Sequence, residues 1–111
     1  NVKHVKEYEA ELTARTSLYP ETAGVCTSTA FSHIFQGGYS AGYYSYKWAE
    51  VLDADAFEYF KERGIFNKEV ATKFKQNILA AGGSAHPMEL YKAFRGAEPS
   101  IQPLLKRGNL N

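Results

Sequence analysis

Apolar positions recur with a helical step from the start of the chain. Val2, Val5, Tyr8 and Leu12, with Glu9 on the same stripe, predict a helix from Val2 to about Thr13. The stripe is too narrow to hold a helix alone, so this element must lean on something else. Pro20 and Gly24 mark Ser17 to Gly24 as a loop. Thr27 to Phe35 predicts a short helix with Ala30, Phe31, Ile34 and Phe35 inward, broken by Gly37-Gly38. A long helix follows from about Ala41 to Arg63. It carries Tyr44, Trp48, Val51 and Leu52 on one face, then Ala56, Phe57 and Phe60, and Gly64 stops it. Asn67 stands as a cap for a helix to about Leu79, with Val70, Phe74, Ile78 and Leu79 on its core side, ended by Gly82-Gly83. Pro87 suits the first turn of a helix from Pro87 to Phe94 that buries Leu90, Tyr91 and Phe94, and Gly96 closes it. Pro99 to Lys106 forms a last helical segment before Gly108. The fold class is all-α: a compact bundle of about five helices with a Gly-rich loop before the longest.

Composition narrows the function classes. The 111 residues are 44% hydrophobic and 14% aromatic, enough for one domain with a small core. Thirteen basic and 12 acidic residues leave a net charge of +1, which gives no electrostatic case for nucleic acid or an anionic membrane. No run approaches the roughly 18 apolar residues of a membrane span. Cys26 is alone and forms no intrachain disulfide. The start, Asn1-Val2-Lys3-His4-Val5, is not a signal peptide and lacks an initiator Met, so the gene product is expected to begin further upstream.

One segment stands apart. Phe31 to Tyr46 holds four of the eight tyrosines and three of the nine glycines in 16 residues. Glycine lets backbone approach a ligand, and a tyrosine hydroxyl stays a donor at neutral pH, suited to a carbonyl or a developing oxyanion. With a helix starting near Ala41, Tyr43 and Tyr46 share a face at i and i+3. Tyr39 sits in the glycine loop, and His33 ends the helix before it. Three hydroxyls and an imidazole can thus converge on one hinge. The same spacing equally describes amphipathic core tyrosines, apolar body in and hydroxyl out. Aromatic-glycine segments also stack sugars.

Other chemistry is thin. No His-Glu-x-x-His occurs, and His4, His33 and His86 have no ligand spacing, so no metal-binding residue is assigned. Asp53 and Asp55, two apart, do not share a helix face and read as surface residues. Cys26 with His33 would suit a thiol nucleophile, but a structural cysteine is the simpler reading. Gly82-Gly83-Ser84 lacks the Lys of a phosphate loop.

The string Phe31-Ser32-His33-Ile34-Phe35 through Gly38-Tyr39-Ser40-Ala41-Gly42-Tyr43-Tyr44-Ser45-Tyr46, then Trp48-Ala49-Glu50, resembles the substrate-binding segment of the thimet oligopeptidase and peptidyl-dipeptidase family. The likeness continues through Asp53-Ala54-Asp55-Ala56-Phe57, Gly82-Gly83-Ser84, Pro87-Met88-Glu89-Leu90-Tyr91, Phe94-Arg95-Gly96 and Pro99, and so spans about residues 27 to 110. The six-residue step from His33 to Tyr39 is more similar to the bacterial peptidyl-dipeptidase branch. Ala23-Gly24-Val25-Cys26-Thr27 departs from the proline- and arginine-containing approach of that family.

The resemblance implies a larger helical peptidase fold, with residues 1–111 a single helical domain forming the C-terminal part of its catalytic domain. It implies a zinc held upstream by His-Glu-x-x-His and a further Glu, and a zinc-bound water that the motif Glu deprotonates. By the same resemblance Tyr39 and Tyr46 would be catalytic, donating to the scissile carbonyl as it becomes an oxyanion. His33, Tyr39, Tyr43 and Tyr46 would bind substrate, His33 at the peptide backbone and Tyr43 toward the substrate's C-terminal side. The expected parent is a peptidyl-dipeptidase releasing C-terminal dipeptides from short peptides, cytoplasmic with the periplasm as the alternative. The chain alone is expected to hold no zinc and to be inactive. Its expected partners are peptide substrates, the remainder of the peptidase domain and, through exposed apolar surface, a second copy. The alternative is a non-enzymatic helical module whose aromatic groove binds a peptide or partner.

Overall fold

The computed structural model describes residues 4–110, so the predicted helix start at Val2 lies outside the described residues. Every regular element among the described residues is helical. The chain divides into two compact units, Asn1–Tyr43 and Tyr44–Asn111.

The first unit contains α1 (Val5–Thr13), α2 (Thr27–Ala30) and two 3-10 turns, Ser32–Ile34 and Gly37–Tyr39. The helix predicted over Thr27 to Phe35 is broken at Phe31, where φ −83° and ψ 70° leave the helical region. Hydroxyls explain the weakness: Thr29 Oγ1 donates to the Cys26 carbonyl at 3.1 Å, a local bond that competes with helix propagation. Phe31 and Ile34 are half-buried, whereas Ala30 and Phe35, expected inside, are exposed. None of the described residues of this unit is fully buried.

What joins α1 to α2 is polar. The Glu9 carboxylate accepts from Thr27 N–H at 2.8 Å, from Ser28 N–H at 2.9 Å, from the Ser28 hydroxyl and from the Cys26 thiol at 3.2 Å. The first amides of a helix have no intrahelical partner, and an acceptor there meets both that need and the positive helix end.

The second unit contains α3 (Ser45–Arg63), α4 (Lys68–Phe74) continuing into a π-helical turn (Lys75–Leu79), α5 (Pro87–Arg95) and α6 (Gln102–Arg107). The long helix starts at Ser45 rather than near Ala41, because Ala41 has φ +54°, which no helix accepts. Asn67 caps α4 as predicted, accepting from Glu69 N–H at 2.9 Å and Val70 N–H at 3.2 Å. His86 adds a cap for α5, its Nδ1 accepting from Met88 N–H. Gly96 ends α5 in the left-handed region at φ +82°.

The core is aromatic. Phe94, 1% exposed, has Phe74, Tyr59, Tyr91 and Phe60 around it with ring centroids at 5.1, 5.6, 6.0 and 6.1 Å. Val70 completes the buried cluster, and Leu52, Ala56 and Ile78 pack on it. Leu79, expected on the core side, is 67% exposed, and Phe57, grouped with Ala56 and Phe60 on one face, is 50% exposed.

Asp55 corrects the surface reading of the two aspartates. It is 2% exposed, while Asp53 is exposed and pairs with Arg107 of α6 at 2.7 Å. Two residues apart on a helix point in nearly opposite directions, so one of the pair had to face inward if the other faced out.

Candidate functional site

Three of the four singled-out residues come together in the first unit. His33 lies in the 3-10 turn Ser32–Ile34, Tyr39 ends the turn Gly37–Tyr39, and Tyr43 follows in the chain's next bend. Gly37 reverses the backbone at φ +72°, a conformation that glycine adopts without strain. Ala41 N–H then donates back to the Ile34 carbonyl at 3.5 Å, and Gly42 N–H to the Tyr39 carbonyl at 2.9 Å, closing a compact loop. Ala41 itself holds a left-handed φ of +54°, which costs a non-glycine residue about 1 kcal/mol. Strain of this kind concentrates where a segment's shape serves a ligand.

The loop puts the His33 ring edge-on to Tyr39, centroids 5.0 Å apart at 89°, and tilted against Tyr43 at 5.7 Å. Phe31 packs edge-on against the other side chain of this group, Tyr43, at 4.6 Å and 79°. Edge-to-face contacts hold aromatic rings in a fixed mutual orientation, each worth about 1 kcal/mol beyond buried area. Tyr39 remains 41% exposed and Tyr43 half-buried. The cluster therefore combines an imidazole and two phenols at a surface, a donor set suited to peptide carbonyls.

Tyr46 lies in the first turn of α3 and is 43% exposed. The helix starts at Ser45, two residues after Tyr43, rather than near Ala41.

Among the described residues no group of three or more His, Cys, Asp or Glu side chains is arranged to hold a metal ion. The described residues do not by themselves fit a zinc site. Cys26 is half-buried, with its thiol donating to Glu9, which gives it a structural place at the start of α2.

Two polar constellations escaped sequence reasoning. One is Glu9 at the start of α2. The other is Asp55, which accepts from the Tyr91 hydroxyl at 2.6 Å and from Arg95 Nε at 3.2 Å. The Arg95 guanidinium also lies 4.7 Å from the Tyr59 ring and reaches Glu62 at 3.6 Å. A signal for the second existed: Leu52, Asp55, Ala56 and Tyr59 share one helix face, and Tyr91 and Arg95 are four apart on α5.

Comparison with known proteins places the chain in a family. The model of Peptidase family M3 matches residues 1–110, and the chain belongs to that family. It is 50% identical to oligopeptidase A of Escherichia coli (strain K12) over 102 residues, 92% of this chain and 15% of that protein. It is 44% identical to a probable cytosolic oligopeptidase A of Arabidopsis thaliana over 110 residues, 96% of this chain and 16% of that protein. It is 40% identical to dipeptidyl carboxypeptidase of Salmonella typhimurium over 108 residues, again 96% of this chain and 16% of that protein. The chain thus spans about 15% of the length of the curated relatives it matches. No helix among the described residues is long and apolar enough to cross a membrane.

Proposed function

We propose that this chain is the C-terminal, substrate-gripping part of the catalytic domain of a cytoplasmic zinc metallopeptidase that hydrolyses short peptides. The observation that carries the reading is the packing of His33, Tyr39 and Tyr43 on one strained glycine loop, in a chain that matches the family along residues 1–110. Tyr39 and Tyr46 donate their hydroxyl hydrogens to the scissile carbonyl as it becomes an oxyanion. His33 holds the substrate backbone and Tyr43 the substrate's C-terminal side. Gly37 and Gly38 let Tyr39 swing toward bound peptide. The parent's other residues would hold the zinc, so this chain by itself is inactive.

Two cleavage modes follow from the relatives. Release of C-terminal dipeptides is supported by the likeness to dipeptidyl carboxypeptidase and by the His33 to Tyr39 step. A broader oligopeptidase action is favoured by the higher identity to oligopeptidase A, 50% against 40%.

The test is to express the whole parent reading frame and assay it on unlabelled peptides of graded length, with product masses read directly. Chelator-sensitive hydrolysis supports the peptidase reading, and dipeptide products from the C-terminus decide its mode. A parent without a His-Glu-x-x-His upstream and without hydrolysis would leave the helical binding module as the better account.

A further inference from the structure

Phe31 stands outside the polar set proposed to grip substrate, yet it makes a closer ring contact than His33 does. Its ring meets Tyr43 with centroids 4.6 Å apart at 79°, whereas the His33 ring lies 5.0 Å from Tyr39 and 5.7 Å from Tyr43. Phe31 and Tyr43 are both half-buried, while His33 and Tyr39 are exposed. A benzyl side chain has no hydrogen-bonding group, so Phe31 does not itself read a peptide's amides or carbonyls. What it does is hold the ring it touches.

The backbone gives Phe31 a firm base. Its N–H donates to the Thr27 carbonyl at 2.9 Å and closes α2. Its carbonyl accepts from Ile34 N–H at 3.3 Å, at the 3-10 turn that carries His33. Between these bonds φ −83° and ψ 70° put Phe31 close to an inverse γ bend. Glu9 fixes the other end of α2 through Thr27 N–H and Ser28 N–H. Phe31 and His33, two residues apart, then both bear on the Tyr43 ring, at interplanar angles of 79° and 48°. Two contacts at different angles restrict the ring's rotation more than either alone. A side chain held ready before substrate arrives spares the ordering that binding otherwise requires.

We infer that Phe31 is a positioning residue for peptide recognition: it acts through Tyr43, holding that phenol in place for the substrate's C-terminal side. The inference rests on the peptidase reading above, in which Tyr43 meets substrate.

The experiment measures kcat and KM of the full-length parent on one short peptide for Phe31→Leu, Tyr43→Leu and the double variant. Phe31→Leu is expected to raise KM about 5-fold, the worth of one edge-to-face contact, with kcat changed by less than about 2-fold. In the Tyr43→Leu background the same change should raise KM no further, because the ring that Phe31 holds is already gone. A second variant guards against misfolding, which thermal unfolding detects. Pentafluorophenylalanine at position 31 keeps the ring's shape and apolarity but reverses its quadrupole, and so weakens the contact whichever ring offers its edge. It too should raise KM. An equal rise in KM with and without Tyr43 overturns the inference, as does a fall in kcat with KM unchanged. Hydrolysis with a wild-type KM in the Phe31 variants keeps the peptidase reading and overturns the positioning role. A parent that binds the peptide without cleaving it removes the peptidase reading. The same cycle read as Kd then decides, coupled losses supporting the positioning role and independent losses overturning it. A parent that neither binds nor cleaves overturns both.

Discussion

The Tyr91 hydroxyl of α5 donates to the buried carboxylate of Asp55 on α3 at 2.6 Å. Burial, followed by that bond and the charge of Asp55, pushes the Tyr91 hydroxyl's pKa up from its ordinary 10, which keeps the proton on the donor oxygen. Arg95 adds a second donor to the same Asp55 oxygen and brings an opposite charge. A buried carboxylate is tolerated only with such partners, so the arrangement fixes how α3 and α5 meet.

Removing the hydroxyl should therefore cost more than its atoms. Tyr91→Phe is expected to destabilise the fold by about 2 kcal/mol, because Asp55 is left buried with one donor fewer. Asp55→Asn should also destabilise, and the double variant should lose less than the two single losses added. Urea midpoints of the four proteins measure this. Strict additivity would mean that the two side chains are not coupled.

Acid should loosen the contact between α1 and α2. The Ser28 hydroxyl first, then the Ser28 N–H and the Cys26 thiol, hold the Glu9 carboxyl at about 2, against its ordinary 4.5. A carboxyl more acidic in the folded than in the unfolded chain stabilises the fold when ionised. Its contribution is complete above pH 4.5 and is lost as pH falls from there through about 2. NMR titration should show the Glu9 carboxyl and the Thr27 and Ser28 amides moving together in that window. In Glu9→Gln those amide shifts should be flat with pH, and a wild-type carboxyl titrating near 4.5 would contradict the assignment.

Asn67 gives a clean helix-cap test. Its Oδ1 serves two amides of α4 while its Nδ2 donates to the Arg63 carbonyl at 3.1 Å. Asn67→Ala is expected to cost about 1 kcal/mol, with Asn67→Asp retaining most of the stability because the acceptor remains. Thermal unfolding of both variants decides it, and equal losses would show that the Nδ2 bond, not the cap, matters.

The catalytic proposal makes its own kinetic demand. In the active parent, Tyr39→Phe and Tyr46→Phe should each lower kcat on the order of 100-fold with little change in KM, the signature of a donor used in the transition state. His33→Ala should instead raise KM, since backbone binding is felt in the ground state as well. A KM effect alone in both tyrosine variants would reassign Tyr39 and Tyr46 to substrate binding.

Much of the helical plan was legible in the chain. Asn67, Pro87 and Gly96 act within one helical turn of themselves, so α4 starts, and α5 starts and ends, close to where local rules put them. The family could be read from the tyrosine string, because a run of that length and composition has few other meanings. Local rules failed where a distant group decided. Asp55 looked like surface because its partners, Tyr91 and Arg95, lie 36 and 40 residues away. Glu9 looked like a stripe position because the amides it serves lie 18 and 19 residues on.

The tyrosine segment shows the same division. Residue types alone declared a set of hydroxyl donors and glycines. Only the folded backbone, with Ala41 at φ +54° and Ala41 N–H returning to Ile34, set His33 against Tyr39 and Tyr43 and started α3 after Tyr43 instead of before it. Helix caps and apolar periodicity act over one turn of chain and are written in neighbouring residues. Ring contacts and buried charge depend on which distant segments share space, and packing alone determines that.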